Sequence, residues 1–247
     1  MYAGRSPNMS YLTKIAPLRR SLLLFAVSAV CLRLGNNIVD AKQAKAPPKP
    51  HNLLSPDAAL KRLMEGNDRY VQSASRGDDF KRERPVLVDG QNPYAAVLSC
   101  ADSRVAPELV FGTGLGDLFV CRLAGNFAND DTLASMEYAV AVLNTPLILV
   151  LGHDHCGAID AAIRSLQDDK PPPGHISSLV AALAPAVQAS RQQTGDTFAE
   201  ATRQNVIDNV NKLKSAGPIL NAAVEQNRLK VVGGLYRLAT GRVDLVS

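Results

Sequence analysis

Residues 146–153, Pro-Leu-Ile-Leu-Val-Leu-Gly-His, form an unbroken apolar run that ends in His-Asp-His-Cys-Gly. A strand with one face in water alternates polar and apolar residues, whereas a continuous apolar run is buried on both faces. Both faces need a cover, and helices supply it in parallel-sheet proteins. Three other strand-like segments accompany this one. They are Tyr94–Ser99, ending at Cys100, then Asp117–Ala124, and Arg228–Val246, which reads as two strands joined by a turn at Ala239–Gly241. Helical signals fall between them. Ser55-Pro56-Asp57 opens a helix that carries Ala59, Leu60, Leu63, Met64 and Tyr70. Thr132–Leu143 and Gly157–Leu166 follow. The helix at Thr197–Ser215 has Asp196 as its cap, a stripe of Phe198, Val206, Val210 and Leu213, and a stop at Gly217-Pro218. Asp78–Pro85 and Lys170–Gly174 read as loops. The fold class is therefore α/β, a mainly parallel central sheet flanked by helices, with an N-terminal helical arm.

Charge separates the chain into parts. Residues 1–50 hold eight of the 27 Lys/Arg residues and one of the 23 Asp/Glu residues, so the remaining 19 bases face 22 acids. A nucleic-acid-binding protein keeps its basic surface in the folded body, so that class is set aside. Arg19 and Arg20 precede the 12-residue apolar run Ser21–Leu32, which is shorter than the roughly 20 residues of a membrane span. Residues 1–41 read as an export signal of twin-arginine flavour, cleaved after Ala41, which places the body in a bacterial periplasm. A retained anchor, an organelle transit peptide and lipid attachment at Cys31 are the competing readings. Residues 42–52 read as an extended, solvated Pro/Lys/Ala tether, and 53–247 as one catalytic domain.

Two apolar runs end in metal-ligand side chains, Cys100 in Cys-Ala-Asp-Ser-Arg and His153 with Cys156 in His-Asp-His-Cys-Gly. In an open parallel sheet, functional groups gather at the carboxyl ends of strands. Adjacent strands would bring Cys100, His153 and Cys156 together. Two thiolates and one imidazole suit zinc, and three ligands leave the open position of a catalytic site. No second C-x-x-C pair exists to close the site. In an extended segment Cys100, Asp102 and Arg104 face one way. Arg104 can then hold the Asp102 carboxylate off the metal, leaving it to orient a water at the open position.

The segments CADSRV and HDHCGA resemble the two signatures of the β-class carbonic anhydrases, and the resemblance extends over roughly residues 53–246. It implies zinc on Cys100, His153 and Cys156, and a catalytic pair of Asp102 and Arg104. It implies reversible hydration of carbon dioxide to bicarbonate, a carbonate dehydratase (lyase) reaction. It also maps Gln91 onto a substrate-side amide donor and Gly157 onto a backbone donor. Phe119 and Tyr138 map onto apolar pocket residues contributed by a partner subunit, so at least a homodimer is implied. Ala124 stands where many relatives carry a larger side chain. Val97 replaces the tryptophan of the family's regulatory bicarbonate site, so no such regulation is expected. Two thiolates formally cancel the zinc charge and acidify its water less than neutral ligands would. Activity should therefore rise through mildly alkaline pH.

Other readings stay beside these. Hydrolysis of carbonyl sulfide or carbon disulfide at the same zinc is the alternative reaction, and a zinc-holding scaffold without turnover is the non-enzymatic one. Cys100 and Cys156 could instead pair as a disulfide after export. His155 reads as a surface or second-layer polar group, with a proton relay as the alternative. Cys121 reads as a buried small residue. Gly112–Asp117, GTGLGD, precedes a strand rather than the helix that phosphate binding needs, so it reads as a turn.

Overall fold

The computed structural model describes residues 48–74 and 80–246. The expected leader, 1–41, and residues 42–47 of the expected tether lie outside the described residues. Among the described residues, no helix is long and apolar enough to cross a membrane.

Helix α1 spans Pro56–Val71 and α2 spans Phe80–Val86. Strand β1, Ala95–Ser99, leads through the short helix α3, Pro107–Val110, to β2, Leu118–Arg122. Helix α4, Asp130–Ala141, precedes β3, Leu147–His153. Helices α5, Gly157–Asp168, α6, Ile176–Ser190, α7, Thr197–Ser215, and α8, Leu220–Glu225, follow. Strands β4, Lys230–Tyr236, and β5, Val243–Leu245, complete the chain. The sheet order is β2-β1-β3-β4-β5, with β5 antiparallel to β4 and the other pairs parallel. The α/β class with a mainly parallel sheet is as the sequence indicates.

The period of two in β1 and β3 divides the core. Ala96, Leu98, Ile148 and Val150 join Met136, Val206, Val210 and Leu213 on one face. Ala95, Val97, Leu147, Leu149 and Leu151 join Ala59, Leu63 and Phe111 on the other. Each fully buried Leu or Ile contributes about 1.5–3 kcal/mol over an exposed one, which explains why a strand apolar at every position sits at the centre. Helix α1 thus lies on its own chain's sheet, capped by the Ser55 side chain, which accepts from the Ala58 amide. Asn67 of α1 donates to the carbonyls of Val110 and Gly241 and accepts from the Val243 amide, tying α1 to the final hairpin. At Gly152 in β3 an added Cβ would lie 2.6 Å from Val206 Cγ2, so the glycine lets α7 close against the strand that carries His153.

Three details differ from the sequence reading. The described end of the tether is docked rather than solvated, with Lys49 and Asn52 buried. Lys49 Nζ lies 3.2 Å from Asp117 Oδ1 and 3.5 Å from Glu83 Oε1, and Asn52 Nδ2 donates to Asp117 Oδ1 and to the Asn92 carbonyl. A buried carboxylate needs a paired cation and donors, and this segment supplies them. Residues 80–86 form a short helix instead of a loop, and its Glu83 accepts from the Leu115 amide. Helices α3, α6 and α8 were not anticipated. The GTGLGD segment is a turn, closed by the Gly114 amide donating to Asp117 Oδ2.

Candidate metal centre

Parallel pairing of β1 with β3 runs from Ala96 opposite Ile148 to Ser99 opposite Leu151. The two carboxyl ends therefore finish side by side, with Cys100 just past β1 and His153 closing β3. The chain then turns, with His155 in the left-handed region (φ 52°), and Cys156 becomes the residue that caps α5. The sulfurs of Cys100 and Cys156 and a ring nitrogen of His153 all lie within 4.8 Å of one another, and all three residues are buried. His153 Nδ1 lies 2.8 Å from the Asp154 carbonyl oxygen. That contact makes Nδ1 the protonated nitrogen and leaves Nε2 as the lone-pair donor. Nε2 is buried without a hydrogen-bond partner. An orphaned buried acceptor costs about 1–3 kcal/mol, and a cation between it and the two sulfurs removes that cost. These donors fit a soft or borderline divalent metal ion.

Electrostatics divide the two thiols. A hydrogen bond from Cys156, helped by His153 and the Gly125 and Asp102 amides, pulls the Cys100 thiol down to about 4 despite burial. The adjacent Cys100 sulfur pushes the Cys156 thiol up, and burial adds to this. The Ala158 and Ile159 amides at the start of α5 pull the other way without offsetting it. Burial works against the His153 imidazolium, but the Cys100 thiolate beside it prevails and raises its pKa. Behind the donors, Ile159, Val180, Leu183 and Val187 pack around both cysteines and keep water from that side.

Asp102 and Arg104 meet through a turn rather than an extended strand. The Val105 amide donates to the Asp102 carbonyl, and the Arg104 amide donates to Asp102 Oδ1 at 2.9 Å. The guanidinium adds a bidentate clasp, Nε to Oδ1 at 2.9 Å and Nη2 to Oδ2 at 2.8 Å. These bonds hold the Asp102 carboxyl well below the usual carboxylate range. Arg104 Nη2 also donates to the His155 carbonyl, and Arg122 donates to the carbonyls of Cys100 and Asp102. Arg104 thus ties the two motif loops together, and Arg122 braces the first from β2. The His155 ring itself is exposed and lines a small cavity with Asp196, Phe198 and Glu200.

Gly157 opens α5 beside Cys156, is exposed, and has open space where a side chain would stand. Its amide is among those that a helix start leaves without an internal partner. Within its own chain Gln91 does not lie at this place. Gln91 is exposed and lies before β1, among Leu87, Val88 and Leu115, whereas Cys100 lies past the other end of that strand. Five strand residues span about 16 Å. Phe119 pairs with Ala96, near the start of β1, and stacks against Tyr138 of α4 with ring centroids 6.3 Å apart. Tyr138 is exposed. These three belong to the far end of the sheet in their own chain. Cys121 is half-buried on the edge strand β2, and burial raises its thiol. The sequence reading missed Gly125, whose amide donates to Cys100 Sγ at 3.4 Å, and Asn205, whose Nδ2 donates to the Gly125 carbonyl at 2.8 Å. The available signal was asparagine at 205 and 209, inside the stripe that also holds Val206, Val210 and Leu213.

The carbonic anhydrase family profile matches residues 95–243, which include both motif loops. Carbonic anhydrase 2 of Mycobacterium tuberculosis is 40% identical over 195 residues, covering 77% of this chain and 93% of that protein. The chain belongs to the β-carbonic anhydrase family. Among solved structures, the β-carbonic anhydrase CcaA is 30% identical with a TM-score of 0.57, covering 76% of this chain and 98% of that one. Tetrameric β-carbonic anhydrases from Sordaria macrospora include one that is 23% identical, with a TM-score of 0.60, covering 77% of this chain and 98% of that one. At that identity the likeness concerns the fold. Membership makes the chain a carbonate dehydratase, a lyase, and gives its buried Cys-His-Cys group a family setting among metalloenzymes.

Proposed function

We propose that the chain hydrates carbon dioxide reversibly at one zinc ion held by Cys100, His153 and Cys156. One observation carries the reading: Arg104 clasps the Asp102 carboxylate at two points, so three donors converge while Asp102 is kept back. Zinc, when bound, supplies Lewis acidity that makes a water at its open position a nucleophile near neutral pH, as in the carbonic anhydrase example familiar for three-histidine sites.

The chain's residues do the rest. Asp102 Oδ2 has one lone pair engaged by Arg104 and another free to accept a hydrogen bond from entering water, turning that water's lone pair toward substrate. The Gly157 amide, at a helix start, would donate to the substrate oxygen that gains charge. The apolar layer behind the cysteines excludes bulk water. Gln91, Phe119 and Tyr138 complete the pocket only from a second copy, so the working unit is a homodimer or a higher homo-oligomer. The paired arginines before the apolar run support export to the periplasm. Mass analysis of the mature chain tests this, and an N-terminus still at Met1 counts against it.

Zinc content and stopped-flow carbon dioxide hydration test the main reading, on the native chain and on Asp102→Asn. The expected result is one zinc per chain in both and a loss of turnover in the variant. Native protein that holds zinc but hydrolyses carbonyl sulfide without hydrating carbon dioxide moves the assignment to the sulfur analogues. Zinc with neither reaction leaves a scaffold.

A further inference from the structure

The Cys100 sulfur is held by a hydrogen-bond chain that begins on a distant helix. Asn209 and Asn205 stand one turn apart on α7, and both are buried. Asn209 Oδ1 accepts the Ala128 amide at 2.7 Å, so its other atom, Nδ2, must be the donor. That Nδ2 reaches the Asn205 carbonyl at 2.7 Å and Asn205 Oδ1 at 3.0 Å. With its oxygen so engaged, Asn205 turns its own Nδ2 to the Gly125 carbonyl, 2.8 Å away. Gly125 in turn points its amide at Cys100 Sγ, 3.4 Å away, with φ at 87°, a conformation that favours glycine. A Cβ there would lie 2.9 Å from Leu183 Cδ1. Lys212 closes the loop from the same helix by donating to the Ala128 carbonyl at 2.6 Å. Every amide orientation in this chain is fixed by its neighbour, starting from a backbone N–H that can only donate.

We infer that Asn205 is a positioning residue of the metal centre: it fixes the Gly125 peptide so that an N–H is aimed at the Cys100 sulfur and draws electron density from it. The inference rests on Cys100 being a metal ligand, as proposed above. An apolar core residue would fill the same volume on this stripe. A buried asparagine needs its partners, and these partners lead only to the 125–128 loop. Partners behind a metal ligand set its orientation and donor strength, and their loss typically lowers metal affinity about 10- to 100-fold.

The test uses the full chain, loaded with cobalt(II) for spectra and with zinc for affinity by chelator competition. Native protein should show a near-ultraviolet sulfur-to-cobalt charge-transfer band. Its absence would remove the metal reading itself and this inference with it. In Asn205→Ala the sulfur loses its aimed N–H and becomes a stronger donor. The band should move to lower energy; zinc affinity should nevertheless fall about 10- to 100-fold, because the sulfur is no longer held in place and the less stabilised thiolate keeps its proton more tightly. Asn209→Ala, which frees the Asn205 amide to rotate, should move both in the same direction by less, and it carries the test if Asn205→Ala does not fold. Asn67→Ala removes a buried asparagine on the other face of the sheet and should lower stability with the band unmoved. A folded Asn205→Ala or Asn209→Ala with the native band position overturns the inference, whether or not its affinity has changed. A band shift in Asn67→Ala equal to that in Asn205→Ala overturns it equally.

Discussion

Asp102 Oδ2 approaches His153 Nε2 to 3.9 Å without a hydrogen bond between them. The carboxylate is therefore within a small rotation of the ligand cluster, and the Arg104 clasp is what keeps it out. Removing the clasp in Arg104→Ala should let Asp102 become a fourth ligand. The expected outcome is a fall in carbon dioxide hydration of at least about 10- to 100-fold with zinc content unchanged. Activity within a factor of two of native would show that the guanidinium has no such holding role.

Metal uptake should release protons. The Cys100 thiol, at about 4, is already a thiolate at neutral pH, while the hydrogen bond to that thiolate keeps the Cys156 proton in place. The Cys100 thiolate beside His153 raises its pKa, so a metal ion competes with a proton there as well. A divalent cation needs two thiolates and a neutral ring, so protons leave as it binds, and binding strengthens as pH rises. Calorimetry of zinc binding in buffers of different ionisation enthalpy, from pH 6 to 8, should report at least one proton released and an affinity that climbs with pH. Affinity independent of pH would contradict this proton count.

The sheet and the Cys100–His153–Cys156 cluster were legible because their signals are local. A strand apolar at every position has one place in an α/β fold; Cys100 directly follows one strand, His153 ends another, and Cys156 lies three residues beyond it. The Asp102–Arg104 pair was found for a partly wrong reason, since a turn, not an extended segment, brings them together. What local reading cannot reach is contact between distant segments. Asn205 and Asn209 carry no local signal of their partners, and only the fold sets the 125–128 loop against them. Lys49 looked solvated in its Pro/Lys-rich context, but Asp117 lies 68 residues further on. Gln91 and Cys100 are nine positions apart, yet a full strand separates them.

That separation gives a test of the second copy. Gln91→Ala and Asp102→Asn should each be poorly active alone. Unfolding and refolding the two together should restore turnover, because a mixed dimer contains one site with both native residues when Gln91 acts across the interface. If Gln91 serves its own chain, every site in the mixture lacks one of the two, and no activity returns.

The docked segment before α1 should matter for stability. Lys49 and Asp117 are 6% and 2% exposed. Burial raises the Asp117 pKa, but Asn52, the Gly114 amide and Lys49 together hold it below its usual value. Lys49→Met leaves the buried carboxylate with only the Arg62 guanidinium as its cation, 3.7 Å from Asp117 Oδ1, and should cost up to about 3 kcal/mol, read from chemical denaturation at pH 7. Because the Asp117 pKa is depressed, its contribution is fully present above the usual carboxyl range and is lost as pH falls from there through the depressed value. The gap between native and variant should therefore narrow in acid. Equal midpoints at pH 7 would mean that residues 48–52 add nothing to the folded body.

X-ray absorption at the zinc edge, on native protein as purified, addresses the metal centre most directly. The expected first shell is two sulfurs at about 2.3 Å and two nitrogen or oxygen neighbours at about 2.0–2.1 Å, with one zinc per chain. A shell with fewer than two sulfurs, or a zinc content near zero in active protein, would contradict a site built on Cys100, His153 and Cys156.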